Sequence, residues 1–494
     1  MTPPTNKVVM VGGGIAGLVT AYTLQERARA GRIPITCTLV EASHRLGGVI
    51  LTERMDDFVI EAGPDSLLTQ KPWGLELCRT LGIDDRLIGT NDQQRKIYIL
   101  WQGRLQPLPE GLMLIVPTRF RPLLQSRLLS WPAKIRIGLE YLLPPRAPDT
   151  DESLGAFVRR RLGREVLERI AEPLLAGIYA GSLDQMSLLA TFPRLRELEA
   201  KHGGLIRGML VQRKVMRQTA PSEGQQAAAM FMAPRGGMGE IVEAISARLD
   251  RVTLLRGQAV QRVVPQRHGM AGQPSYEVHL SSAPPLQADA VVFATPAHVT
   301  ACLVEGFHPT LAEALRAIPY VSTATISLAY RRADVPHPLD GFGFLVGRGE
   351  GRRIMAATWT STKFPQRAPS GRVLIRSFVG GAGYEHLVSL DEVALIQLVR
   401  EELGGIMGIA AAPLLARVYR WERANPQYRV GHLDRVAELE KMLAPYPGLF
   451  LTGSAYRGVG VSDCIYQGTQ TAERVVGEIS SHPIAFPDSP RRLS

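Results

Sequence analysis

Residues 8–17 place a short apolar run, Val8-Val9-Met10-Val11, directly ahead of Gly12-Gly13-Gly14-Ile15-Ala16-Gly17. The spacing is Gly-x-Gly-x-x-Gly, and a helical apolar pattern follows at Leu18, Ala21, Tyr22 and Leu24. Each glycine has a physical task. Gly12 permits a tight turn after the strand, Gly14 lets the backbone approach a pyrophosphate, and Gly17 lets the helix pack on the sheet. The helix start supplies free N–H groups and a positive dipole end to the phosphates. A second apolar run, Thr36 to Val40, ends in Glu41, whose carboxylate can accept hydrogen bonds from a ribose hydroxyl. Strand, glycines, helix, strand and acid in this order predict a dinucleotide-binding unit. The stretch Arg27 to Pro34 accounts for the long interval before the acid, as a longer helix end and loop.

A second element follows. Arg45 stands four residues past Glu41, and Gly47-Gly48 come directly after Leu46. An arginine there neutralises pyrophosphate charge, and paired glycines let the backbone come close to a flavin. This extension, foreign to dehydrogenases that bind NAD alone, resembles the fingerprint of amine-oxidase-like flavoproteins and points to FAD.

The elements that must position these groups are spread along the chain. Its 494 residues suggest two to four domains. Asp151 is placed to cap a helical pattern at Leu154, Phe157, Val158 and Leu162, and residues 151–190 read as helical. Strands are expected at Tyr276–Leu280, Ala290–Thr295, Ala324–Tyr330 and Val373–Val379. Gln218 to Ala228 reads as a flexible loop. The expected fold is α/β. A Rossmann-like FAD-binding domain takes residues 1–70, 231–300 and 448–485, and an inserted α+β substrate domain takes 71–104 and 301–447. A helical subdomain takes 105–230. Within it, Leu123 to Leu143 interleaves leucines, Trp131 and Tyr141 with arginines and Lys134, and is expected to break near Pro132. That composition suits packing with snorkelling arginines or a membrane-surface element.

The net charge of +11 suits acidic substrates or an anionic surface, and no nucleic-acid motif accompanies it. Four scattered cysteines form no Cys-x-x-Cys, so neither a metal site nor a disulfide framework is expected, and a reducing compartment is. The polar start and the absence of a spanning apolar run predict a cytoplasmic protein, peripheral at most at the inner face of the cell membrane.

Further stretches carry a resemblance. Glu61-Ala62-Gly63-Pro64-Asp65-Ser66, Gln70-Lys71-Pro72-Trp73, Arg159 to Gly163, Glu172 to Gly181, Pro234 to Met238, Phe293 to Pro296 and Leu451 to Ile465 resemble the porphyrinogen oxidases of haem biosynthesis, in order along nearly the whole chain. The resemblance implies oxidation of protoporphyrinogen IX or coproporphyrinogen III in three two-electron steps. FAD takes the hydrides and O2 reoxidises it to hydrogen peroxide. It implies that Gly12, Gly14, Gly17, Glu41, Arg45, Gly47 and Gly48 bind FAD, with Val260 against the adenine. Gly453 begins a flavin-phosphate motif in which Ser454 stands where many relatives have an acid, and Val459, Gly460 and Val461 lie against the flavin ring. Arg95 matches an arginine that holds a propionate, and Gly177 a glycine lining the pocket. Lys71 matches a functionally implicated lysine, and Asp65 falls near the cleft, where it would assist proton removal or orientation. Cys464 is read as a small buried residue, so FAD is expected to be non-covalent. A ferrochelatase, a second copy of the chain and a membrane surface remain as candidate partners. The alternatives are another amine-oxidase-like flavoenzyme, such as a polyamine oxidase or carotenoid desaturase, and a non-catalytic porphyrin-binding flavoprotein. The 6% aromatic content disfavours the aromatic cage an amine oxidase needs.

Overall fold

Strand β1 (Asn6–Val11) is apolar on both faces and lies buried in the middle of a five-stranded parallel sheet. Strands covered on both sides read as such continuous hydrophobic runs. The structure is a computed structural model, and it describes residues 5–481 apart from 32, 114, 147–149, 219–228 and 267–274. Most of the loop expected at Gln218 to Ala228, and residues 482–485 of the expected FAD-binding domain, lie outside the described residues.

Helix α1 (Ile15–Gly31) carries the chain from β1 to β2 (Ile35–Glu41), which pairs beside it. Val252–Arg256 extends the sheet beyond β2, while Ala290–Phe293 and then Leu449–Leu451 extend it on the other side. The strand order therefore reverses at β1. The crevice at its C-terminal end is a topological switch point, where open sheets of this kind bind ligands. The C-terminal helix Val461–Ser481 lies against α1, and Thr20 Oγ1 donates across to the Gly468 carbonyl at 3.1 Å.

A second sheet has seven strands, ordered Leu415–Pro426, Tyr320–Arg331, Arg372–Gly380, Ile354–Trp359, Gly341–Val346, Lys96–Trp101 and Arg104–Pro107. Only Lys96–Trp101 and Gly341–Val346 run parallel. Helices between Phe120 and Gln218 form a third part with its own apolar core around Phe157, Leu162, Ile170 and Leu198.

Two sequence expectations shift and one is met. Ser153, not Asp151, caps helix Leu154–Leu162, accepting from Ala156 N at 3.1 Å. Asp151 instead accepts from Ser187 Oγ at 2.7 Å. The helical run breaks near Pro132, at residues 126–130, though the break lies ahead of Pro132. Pro132 sits in the first turn of Trp131–Leu139, where its missing N–H costs nothing. Helices Pro309–Arg316 and His432–Leu443, expected in the substrate part, turn Leu311, Leu315, Val436 and Leu439 into the same core as Val291 and Phe293 of the parallel sheet.

The helical part closes over a fully buried ion pair. Arg161 Nε donates to Glu140 at 2.8 Å, and Glu140 also accepts from the Leu205 and Ile206 amides at 2.8 and 3.1 Å. Breaking a buried pair from one side leaves an uncompensated charge and costs about 3–5 kcal/mol. Arg161→Met is therefore expected to lower the denaturant midpoint of the helical part sharply, read by circular dichroism. An unchanged midpoint would show that the pair carries no such weight.

Candidate functional site

The glycine turn after β1 is built by backbone contacts that exclude side chains. Gly12 has φ +108°, and a Cβ there would lie 2.9 Å from the Ala294 carbonyl oxygen. A Cβ on Gly17 would lie 2.0 Å from the Gly12 carbonyl oxygen, so α1 can start here only on a glycine. Gly14 differs, since a Cβ there would meet nothing within 4 Å. It opens onto free space at the start of α1, at the switch point. A pyrophosphate cradle needs this geometry, and the residues present fit an adenine dinucleotide.

Glu41 closes the turn from β2. Its two oxygens accept from Gly13 N at 2.6 Å and Ser43 N at 2.8 Å. Gly47 N donates to Gly13 O at 2.8 Å, and a Cβ on Gly48 would approach Gly14 Cα to 3.1 Å. The Gly47-Gly48 loop is thus laid over the cradle. Arg45 folds back on this loop, donating to Gly48 O at 2.6 Å and Ile50 O at 3.3 Å. Gln258 N reaches Glu41 O at 3.1 Å, which brings the start of strand Val260–Gln266 alongside the same acid.

Gly453, with φ +112°, packs toward Ala16 in the first turn of α1. Beyond it, Gly458 has φ +115°, a Cβ on Gly460 would lie 3.0 Å from Asp463, and Val461 opens the C-terminal helix. Asp463 lies in that helix's first turn and accepts from Gly460 N at 3.3 Å. Lys71 is held on Asp463, with Nζ 2.7 and 2.6 Å from its two oxygens. Burial, aided by the charge of Asp463, pushes well up the hydroxyl of Tyr179, the last residue of helix Glu172–Tyr179, which carries Gly177. Burial pushes the Cys464 thiol up to about 12.

Asp65 is clamped by the second sheet. Lys363 Nζ lies 3.0 and 2.9 Å from its oxygens, Arg376 lies at 3.2 Å, and Ser66 Oγ donates at 2.7 Å. Burial raises its pKa, but the two cations win and hold the carboxyl well below the usual range. A carboxylate so held is a poor proton acceptor. Of the two roles expected of Asp65, this geometry supports orientation and not proton removal. Arg376 also donates to Glu61 O at 3.1 Å and Gly63 O at 2.8 Å, and Trp421 Nε1 donates to Ala62 O at 2.9 Å. Lys363, Arg376 and Trp421 were missed by sequence reasoning. They lie some 300 residues or more from the loop they hold, and no local pattern marks them.

Gly177 borders a cleft with Gly181, Val346, Met355, Tyr384 and Arg352. A Cβ on it would meet Leu345 at 3.4 Å, and Leu345 pairs with Ile99. Arg95 precedes Ile99 by four residues, about 13 Å along the strand. The two residues expected to contact substrate therefore lie toward opposite ends of Lys96–Trp101. Arg95 is largely exposed and pairs with Asp92 at 2.5 Å.

Comparison with known proteins gives the family. The model of the family described as flavin containing amine oxidoreductase matches residues 15–476. Coproporphyrinogen III oxidase of Bacillus subtilis (strain 168) is 36% identical over 472 residues, covering 95% of this chain and 97% of that protein. Protoporphyrinogen oxidase 1, chloroplastic, of Arabidopsis thaliana is 31% identical, covering 96% and 88%. A crystal structure from Exiguobacterium sp. 255-15, named for protoporphyrinogen oxidase, superposes with a TM-score of 0.83 at 32% identity, covering 97% of this chain and all of that one. Cyclohexylamine oxidase of Brevibacterium oxydans IH-35A, at 16% identity and a TM-score of 0.66, shares the fold. The chain belongs to the flavin-containing amine oxidoreductases, and within them to the porphyrinogen oxidase family. FAD is the cofactor of that family.

The glycines separate two kinds of variant. Gly17→Ala drives a methyl into the Gly12 carbonyl and is expected to unfold the parallel-sheet part. The Cβ of Gly14→Ala meets no protein atom within 4 Å, so its thermal midpoint without FAD should match wild type while FAD affinity falls at least about tenfold. Equal FAD affinity would refute the cradle. Asp65→Asn strands two buried cations and is expected to cost about 3 kcal/mol. Because the folded pKa is depressed, that contribution is present above the unfolded value of about 3.9 and is lost as pH falls below it. Denaturant titrations of wild type and variant should therefore converge on acidification.

Proposed function

We propose that this chain oxidises coproporphyrinogen III to coproporphyrin III and passes the electrons to O2, releasing hydrogen peroxide. The observation that carries the reading is the open cradle at Gly14, overlaid by Gly47-Gly48 and continuous with the turn before the C-terminal helix. When bound, FAD supplies the acceptor for a hydride in each two-electron step. Six electrons and six protons leave the porphyrinogen and reduce three O2 to three hydrogen peroxide. Gly12, Gly14, Gly17, Glu41, Arg45, Gly47, Gly48 and Val260 hold the adenine dinucleotide portion, and Gly453, Val459, Gly460 and Val461 the flavin end. Lys71 fixes Asp463, Asp65 orients the Gly63 loop, Gly177 keeps the pocket wall low, and Arg95 takes a substrate carboxylate as a planar fork. The protein's contribution is positioning and exclusion of water.

Coproporphyrinogen III is preferred in this reading because relatives bearing that name are 33–36% identical, while the plant protoporphyrinogen oxidases are 30–31% identical. The test gives purified holoenzyme each porphyrinogen and follows porphyrin fluorescence together with oxygen uptake. Coproporphyrin should form faster, with one O2 consumed per electron pair. No formation above autoxidation with either compound overturns the reading in favour of an amine or carotenoid substrate. Arg95→Ala is expected to raise KM about tenfold and leave kcat nearly unchanged.

The helical part supports a contact with an anionic membrane surface. Trp131, Ile135 and Leu142 are 65, 62 and 72% exposed. Arg119, Arg121 and Arg127 are exposed nearby, and Glu140, the one acid between residues 117 and 142, is buried. Apolar side chains with a basic rim and no exposed acid within the segment itself favour anionic lipid. No helix among the described residues is long and apolar enough to cross a membrane. Flotation with phosphatidylglycerol vesicles should carry the protein, while phosphatidylcholine vesicles and the variant Trp131→Ser/Ile135→Ser should not.

A further inference from the structure

The segment Gln427–His432 links strand Leu415–Pro426 to helix His432–Leu443 and presents two stacked rings to the Gly453–Gly460 loop. Tyr428 is 2% exposed, and its ring lies on that of His432 with centroids 3.9 Å apart and planes 12° apart. The Tyr428 hydroxyl donates to Ser454 O at 2.6 Å and accepts from Gly458 N at 2.8 Å. His432 Nε2 lies 2.9 Å from Tyr456 O. A carbonyl only accepts, so Nε2 carries the proton. Burial lowers the His432 pKa to about 4, which leaves the ring neutral at pH 7, and Nδ1 has no hydrogen-bond partner among the described residues. Main-chain groups of residues 454, 456 and 458 are thus held by two side chains from outside the loop.

The rings are themselves fixed elsewhere. Ser187 N donates to Tyr428 O at 2.7 Å, Val430 N to Gln185 O at 3.0 Å, and Gly431 N to Asp151 at 3.0 Å. These anchors belong to the helical part. On the far side, a Cβ on Gly458 would lie 2.7 Å from Asp463, the residue that holds Lys71. Packing alone would be served as well by phenylalanine, but two polar contacts from one hydroxyl to one turn set that turn's shape.

We propose that Tyr428 and His432 are positioning residues for the flavin, locking the Ser454–Gly458 turn and so aiming the first turn of the C-terminal helix at the cofactor. The inference rests on the reading of residues 453–461 as the flavin end of the site. It also makes the helical part a support for the cofactor loop, through Asp151, Gln185 and Ser187.

The test compares wild type and Tyr428→Phe as refilled holoenzymes. FAD affinity is read by flavin fluorescence, the flavin absorption band is recorded, and sulfite addition to the bound flavin is titrated. Tyr428→Phe removes both contacts and should bind FAD at least about tenfold more weakly. It should shift the band and change sulfite affinity, with KM for coproporphyrinogen III unchanged at saturating FAD. A folded variant with wild-type FAD affinity, band and sulfite affinity overturns the proposal. If Tyr428→Phe does not fold, His432→Phe keeps the stack without the donor and His432→Gln keeps a donor. Weakened FAD binding in the first with recovery in the second supports the proposal, and equal behaviour of the two overturns it. Wild type that binds no FAD would overturn the functional reading itself, whereas a silent Tyr428→Phe in an FAD-binding wild type overturns this inference alone.

Discussion

Arg376 is the joint of the molecule. It stands on strand Arg372–Gly380 of the seven-stranded sheet, nearly buried, and its guanidinium grips Glu61 O, Gly63 O and Asp65 of the loop that follows the hairpin Thr52–Met55/Phe58–Glu61. A planar fork of donors suits this task, since it binds two carbonyls and a carboxylate at once. Lys363 reinforces the grip from the helical turn Thr360–Lys363, and Trp421 from strand Leu415–Pro426. In the proposed reading a flavin and its substrate meet beside this loop, so how it is held shapes their site. Buried charge is costly unless fully paired, so the loop has little freedom to drift.

Much of the cofactor side was legible in the chain because its determinants are local. Gly12, Gly14 and Gly17 lie within six residues, and the turn they form is dictated by backbone sterics that a reader of sequence can reconstruct. The strand positions followed from apolar runs for the same reason, with ends displaced by a few residues, as at Tyr320–Arg331. What could not be read was long-range. Asp65 attracts attention by its motif, but its partners come from strands far along the chain, and those partners turn it from a candidate base into a held carboxylate. Asp151 and Ser153 are both good caps by type, and only the position of Ser187 decides between them.

The helices Pro309–Arg316 and His432–Leu443 show a related limit. Their apolar faces are plain in the sequence, but which sheet covers them is not, because either core would accept leucine and valine at that spacing. Tyr428 and His432 carry no motif at all. Their importance appears only when the Ser454, Tyr456 and Gly458 main-chain groups are seen to converge on them.

The burial of the cysteines has a chemical consequence. Cys37, Cys78 and Cys464 are all enclosed, and burial pushes each thiol up to about 12. Thiolates, not thiols, react with peroxides. If the proposed hydrogen peroxide is the product, three of the four cysteine thiols are kept in the unreactive form beside it. Among the cysteines Cys302 alone is exposed, so it is the thiol on which a history of such turnover would be written.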